Sequence, residues 1–147
     1  MPNYCDNILI VETTDESLEL FFRENKNNEK PLTFDKCVPC PPDMQGNDWC
    51  SENWGTKWDA CDINYTKSYI EFDSTIEYYF STAWSPPTIW LSRIAKKYNT
   101  YKFTLEYSEP GGDFWGKEIY ENGKQVSNEE MSLSEYNWQK VDKKNDE

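Results

Sequence analysis

The segment Trp49–Ala60, reading WCSENWGTKWDA, constrains this chain more than any other. Three tryptophans fall within ten residues, with a Gly-Thr pair between them and polar residues in the gaps. The segment is too polar for an ordinary buried strand and too rich in large rings for a solvated loop. It reads as a fixed connection pinned by aromatic packing. Thr82-Ala83-Trp84-Ser85-Pro86-Pro87 has the same character. Only 37% of the 147 residues are hydrophobic, but 16% are aromatic, so the core must lean on Phe, Tyr and Trp. That length predicts one domain able to bury its own core.

The pattern around these segments predicts the element order. Asn7–Glu12 is nearly continuous in apolar residues, as expected of a central strand. Thr13 and Glu16 offer a capping box, with a helix carrying Leu18, Phe21 and Phe22 to about Lys26. Residues 31–60 read as an insertion with a short helix near Gln45–Asn53. Strands over Cys61–Lys67 and Ile70–Thr82 follow, the second bending near Asp73-Ser74. Ser85 and Pro86 read as the cap and first residue of a second helix, striped by Pro87, Trp90, Leu91, Ile94, Ala95 and Tyr98. Tyr101, Phe103, Leu105 and Tyr107 alternate as a half-buried strand. Asn122-Gly123 marks a hairpin between Phe114–Glu121 and Lys124–Val126.

This order predicts an α+β ferredoxin-like βαββαβ sandwich, an antiparallel sheet with both helices on one face. The Trp-rich insertion and a C-terminal hairpin are additions. The domain is expected over residues 1–126, with 127–147 a partly frayed extension. Ile8, Ile10, Phe21, Phe80, Leu91, Ile94, Phe103 and Leu105 are expected to share one core.

Four motifs resemble one family. They are Met1 through Asn7; Trp49-Cys50 with Asn53 through Ala60; Phe80 through Pro87; and Tyr107 through Gly111 with Phe114-Trp115-Gly116. Together and in this order they resemble the YubB-type ferredoxin-like domain family of plasmids and phages, over residues 1 to about 122. Tyr4 stands where that family usually has Trp. The resemblance implies a mobile-element accessory protein inside a bacterial cell. It brings no established activity, so no catalytic residue carries over. Trp49, Asn53, Trp54, Gly55, Trp58 and Trp84 have a sufficient reading as packing and capping residues, beside which a ligand-binding role stays open.

Candidate chemistries thin out quickly. With no histidine, neither a Cys–His nor a Ser–His nucleophile can be assembled. No second element marks any carboxylate pair as catalytic, so no enzyme is expected. Cys37 and Cys40 have zinc-ligand spacing, but Cys50 and Cys61 lie far apart in sequence, so no metal or other cofactor is expected. Five cysteines, an odd number, with no basic-then-apolar start suggest free thiols in the cytoplasm. No apolar run is long enough to span a membrane.

Charge points to a partner. The net charge is −12, and residues 1–91 hold 16 acidic against 6 basic side chains. Such a field repels nucleic acid and steers toward basic protein surfaces. Asp43, Asp48, Glu52, Asp59, Asp62, Glu71, Asp73 and Glu77 lie together in sequence. Tyr65, Tyr69, Tyr78 and Tyr79 add aromatic anchors nearby. The expectation is a non-enzymatic protein that inhibits a host defence or nucleic-acid-handling enzyme by binding its basic surface, its carboxylates standing in for phosphates there. The alternative is nucleotide or single-stranded nucleic-acid binding through the open aromatic sheet face. No motif specifies an oligomeric state.

Overall fold

The computed structural model describes residues 3–44, 48–70 and 73–145, with side chains at 70, 73 and 140–145 left aside. Six strands form one sheet: β1 (Tyr4–Thr13), β2 (Cys61–Ile70), β3 (Asp73–Ala83), β4 (Lys102–Glu109), β5 (Phe114–Glu121) and β6 (Lys124–Ser132). Their spatial order is β2-β3-β1-β4-β5-β6, and all neighbours are antiparallel. The first four strands have the ferredoxin-like order, which the β5–β6 hairpin extends beyond β4. Helices α1 (Asp15–Glu24), α2 (Trp49–Asn53), α3 (Thr88–Lys97) and α4 (Leu133–Asn145) complete the chain, with a 3-10 turn at Pro42–Met44. Strand β6 runs through the expected boundary at residue 126 and leads directly into α4.

Helices α1 and α3 share one face of the sheet. Phe21 of α1 packs edge-on against Tyr98 at the end of α3, with centroids 4.9 Å apart, and lies 5.7 Å from Phe103 of β4. The α3 stripe buries Trp90, Leu91, Ile94 and Ala95, as its spacing predicts. Strand β4 alternates strictly, with Phe103, Leu105, Tyr107 and Glu109 turned toward the helices. Asn122 and Gly123 both adopt positive φ, 54° and 76°, as a tight hairpin turn requires.

Three local expectations are corrected. First, Ile8 and Ile10 are half-buried and lie on the face away from α1 and α3, while Leu9 and Val11 enter the core. Leu9 pairs with Tyr78 and Leu105, both buried, and this register sets the phase of the whole strand. Second, Thr13 is paired with Ser74 in the sheet, so the N-cap of α1 falls on Thr14, whose side chain makes no capping bond. Asp15 and Glu16 still favour that helix end electrostatically. Third, α3 begins at Thr88, not Pro86, because the Ser85 hydroxyl donates to Gly55 O (2.6 Å) and is not used as a cap.

The insertion is part of the core. Phe34 is fully buried, 4.6 Å from Trp90 and within ring contact of Trp54 and Phe80. Asp59 closes the base of the insertion. Its carboxylate accepts from the amides of Phe34 (2.8 Å) and Ala60 (2.7 Å) and from the Thr33 hydroxyl, with Lys30 nearby.

Glu118 is a costly residue on β5. It is 7% exposed, and one carboxylate oxygen accepts from Gln125 (3.1 Å) while the other has no hydrogen-bond partner. Burial, and secondarily the charge of Glu130, raise its pKa above the usual carboxylate range. The folded state therefore holds this proton more tightly than the unfolded chain. The contribution of Glu118 is most favourable below the unfolded carboxylate pKa and worsens as pH rises through the interval up to the folded value. Glu118→Gln is accordingly expected to stabilise the protein at neutral pH, with the gain vanishing in acid. Urea unfolding at several pH values checks this, and a pH-independent difference between the two proteins would contradict it.

Candidate functional site

The sequence motifs converge on one end of the sheet. Asn7, buried in β1, donates through Nδ2 to the Thr82 hydroxyl (2.9 Å). Thr82 donates to Ser85 O (2.7 Å), and the fully buried Thr56 donates to Ala83 O (2.9 Å). Trp84 N donates to Asn3 O (2.8 Å). Gly55 has φ +88°, and a side chain there would lie about 3.1–3.3 Å from backbone atoms of Ile89, Thr88 and Pro86. The insertion thereby sits directly on the start of α3, where Trp90 N donates to Trp54 O (3.1 Å). Trp54 is buried, crosses Trp49 edge-on, and donates its indole to Val38 O (2.9 Å). Asn53 links Trp49 O to Arg93. Trp58 is half-buried and hydrogen-bonds Cys61.

Trp84 stands apart from this packing. It adopts φ +70°, rare for a bulky residue, and is 47% exposed. Its ring is presented to solvent by backbone bonds that hold the strained turn.

The expected acidic stripe divides between the two sides of the sheet. Asp43, Asp48 and Glu52 are exposed on the insertion, on the helix side. Asp59 is spent inside it. Tyr65 packs on Phe22 of α1, and Tyr69 hydrogen-bonds Glu19 of the same helix. Tyr78 is fully buried. Glu71 and the side chain of Asp73 lie outside the described residues. Only Asp62, Glu77 and Tyr79 reach the open side, where strand alternation also places Asp6, Ile8 and Ile10.

These open-side residues make a concavity. It has a volume of about 350 Å³ and is lined by Asp6, Asn7, Ile8, Asp62, Tyr79, Phe80 and Ser81. A register shift between Cys61 and Asn64 brings Asp62 to φ +52° at the start of the edge strand β2. Among the described residues, the Asp6 and Asp62 carboxylates have neither an ion-pair nor a hydrogen-bond partner. Tyr79 donates to Glu77 and is 38% exposed. Among the described side chains the basic residues of this face, Lys102, Lys117 and Lys124, stand on β4, β5 and β6, and Lys102 is already flanked by Glu12 (3.9 Å) and Glu121 (3.8 Å). Asp6 was legible only as a motif residue; with β1 phased correctly, its alternation with Ile8 would have assigned it to this face.

The cysteines do not assemble into a centre. Cys37 hydrogen-bonds Asn25, and Cys61 donates to Ser81 O, while Cys40 and Cys50 are mutual neighbours. Among the described residues no three acidic or thiol side chains gather in metal-binding geometry. Burial pushes the Cys5 thiol up to about 12 and the Cys50 thiol up to about 11, so neither is a ready thiolate at neutral pH.

The fold is a ferredoxin-like sandwich that carries an acidic concavity on the side of the sheet away from α1 and α3. Residues 53–146 match the family of the ferredoxin-like domain in Api92-like protein, and the chain belongs to that family. A crystal structure of a protein api92 from Yersinia pseudotuberculosis is similar at 18% identity and TM-score 0.48, over 58% of this chain. The aligned region spans 29% of that chain. No curated protein matches. No helix among the described residues is long and apolar enough to cross a membrane.

Proposed function

We propose that the chain is a non-enzymatic binding protein whose open-side carboxylates engage a basic surface on another protein. The observation that carries this reading is the concavity holding Asp6 and Asp62, two unpaired carboxylates beside the exposed Tyr79 ring, on a chain of net charge −12. Exposed Trp84, at the end of β3 two residues beyond Thr82, supplies a second aromatic anchor at the same end of the sheet. The nucleic-acid alternative gains less support. Tyr65, Tyr78, Phe80, Phe103 and Tyr107 all face the helices, and the open side offers carboxylates where a phosphate backbone needs cations.

The resemblance of the four motifs to plasmid- and phage-borne domains supports a finer proposal. In it the partner is a defence or nucleic-acid-handling enzyme of a bacterial host, and the carboxylates occupy its phosphate-binding groove. Five free cysteines suit action inside the cell.

Affinity capture from a bacterial lysate, followed by titration of the captured protein, tests the reading. Asp6→Lys with Asp62→Lys is expected to weaken binding at least about tenfold and to flatten its salt dependence. Thermal stability is expected to change by less than about 0.5 kcal/mol at Asp6 and by about 1 kcal/mol at Asp62, whose φ of +52° suits Asp better than Lys. Equal affinity of the reversed and original proteins at every salt concentration would remove this face as the binding site.

A further inference from the structure

A second concavity, about 610 Å³, opens between the start of α3 and the strands β4 to β6. Its lining includes Tyr107, Phe114, Glu118, Glu130 and Pro86, and none of its lining side chains is basic. Of its three carboxylates, Asp113 already accepts from the Ser134 amide (3.0 Å) and hydroxyl (2.9 Å), while Glu118 and Glu130 come from adjacent strands of the β5–β6 hairpin, where Gly116 pairs with Glu130 and Glu118 with Asn128. Glu118 is nine-tenths buried, yet its Oε2 has no hydrogen-bond partner. A buried, unpaired carboxylate oxygen is a destabilising feature unless something completes it. Glu130 stands exposed beside it and hydrogen-bonds the Tyr107 hydroxyl. The Phe114 ring, edge-on to Tyr107 at 6.1 Å, forms an aromatic wall.

The chemistry of the missing partner can be narrowed. An anion is excluded by the three carboxylates, and the nearby helix end offers it little. In the first turn of α3, Thr88 N donates to Pro86 O and Trp90 N to Trp54 O. A metal ion would need at least three ligands in reach of one another; Asp113, the third carboxylate of the lining, is held by Ser134, and no such group of three gathers among the described residues. An organic cation meets all the requirements. A guanidinium presents several donors in one plane, can bridge two carboxylates, and stacks on an aromatic face. An ammonium satisfies the charge but neither the fork nor the stacking.

We propose that this concavity is a guanidinium-binding site, with Glu118 and Glu130 holding the cation and Phe114 flanking it. The guanidinium belongs either to a free guanidino compound or to an arginine side chain of a peptide. This site lies at the β6 edge, opposite the β2 edge that borders the Asp6–Asp62 concavity, and does not rest on the function proposed above.

The test is titration of the full chain with L-arginine, the tripeptide Gly-Arg-Gly and L-citrulline, followed by amide NMR shifts of Trp115 through Glu118 and by calorimetry. L-arginine or the tripeptide is expected to bind at least about tenfold more tightly than citrulline, which keeps the shape and loses the charge. Glu118→Gln and Glu130→Gln are each expected to weaken binding at least about fivefold, while Glu121→Gln, outside the concavity, leaves it unchanged. Thermal unfolding confirms that each variant is folded. Binding of L-arginine in clear preference to the tripeptide assigns the site to free guanidino compounds, and binding of the tripeptide as well as or better than L-arginine assigns it to a protein side chain. The proposal is overturned if citrulline matches arginine, if folded Glu118→Gln binds as well as the original, if the shifts cluster at Asp6 and Asp62, or if nothing binds by about 20 mM.

Discussion

Phe34→Ala is expected to destabilise the protein by about 3–5 kcal/mol. The ring is fully enclosed by Trp90 of α3, Trp54 of the insertion and Phe80 of β3. Removing it loses the transfer free energy of a whole aromatic ring and leaves a cavity. The walls of that cavity belong to three elements that are also tied to one another, α3 to the insertion by Trp90 N–Trp54 O and the insertion to β3 by the Thr56 hydroxyl on Ala83 O, so they cannot collapse freely. Trp54 would lose its edge-on partner, and the Gly55 contact with the start of α3 would loosen with it. Urea unfolding should show one cooperative transition at a lower midpoint. Trp138→Ala serves as the contrast. Trp138 is 68% exposed, and its removal should cost less than about 0.5 kcal/mol. A loss below about 1 kcal/mol for Phe34→Ala would mean that the insertion is peripheral to the core.

Gly116→Ala is expected to cost about 2–3 kcal/mol although it adds a single methyl group. Gly116 faces Tyr107 directly across the β4–β5 ladder, and a Cβ on it would stand 2.2 Å from Cζ and the hydroxyl oxygen of Tyr107. The Tyr107 ring is buried, edge-on to Phe114, with its hydroxyl committed to Glu130. It therefore cannot swing aside without opening that hydrogen bond. A double-mutant cycle isolates the cause. In a Tyr107→Val background the same Gly116→Ala change should be nearly harmless, because the ring that it strikes is gone. Equal costs in the two backgrounds would show that the penalty is a backbone effect and not this clash.

The elements read correctly from the chain are those set by short-range signals. The α3 stripe, the alternation of β4 and the Asn122-Gly123 turn each depend on residues within a few positions of one another. Strand β1 was recognisable as central, since an apolar run suits a strand flanked on both sides, and it does pair with β3 and β4. Its phase was not recognisable. A run of four apolar residues carries no alternation, and Leu9 faces the core only because Tyr78 and Leu105 do so opposite it. The caps failed for a related reason. Thr13 and Ser85 have suitable hydroxyls, but Thr13 is taken by the sheet and Ser85 by Gly55 O, partners far away in sequence.

The candidate sites divide in the same way. The Trp-rich segment announced itself as pinned, yet its anchors, Phe34 and the start of α3, are known only from the packing. Carboxylates contiguous in sequence were expected to form one stripe. Strand alternation and the insertion sort them onto two sides, and Asp59 is consumed in between. Glu118 gave no signal at all. In Phe114-Trp115-Gly116-Lys117-Glu118 neither phase is clearly apolar, because β5 is covered on both sides. Glu118 sits on the side facing α3, and Trp115 stacks on Tyr136 of α4 at 4.2 Å on the other.

By itself, then, the sequence determined the element order as far as the β5–β6 hairpin, though not the terminal helix α4, together with the ferredoxin-like class, the acidity and the absence of a histidine-based nucleophile, because composition and local periodicity are enough for each. Which carboxylates stand together, which are spent inside, and which buried oxygen lacks a partner were decided by the tertiary structure. Those properties depend on strand register and on contacts between residues tens of positions apart, and no local pattern carries either.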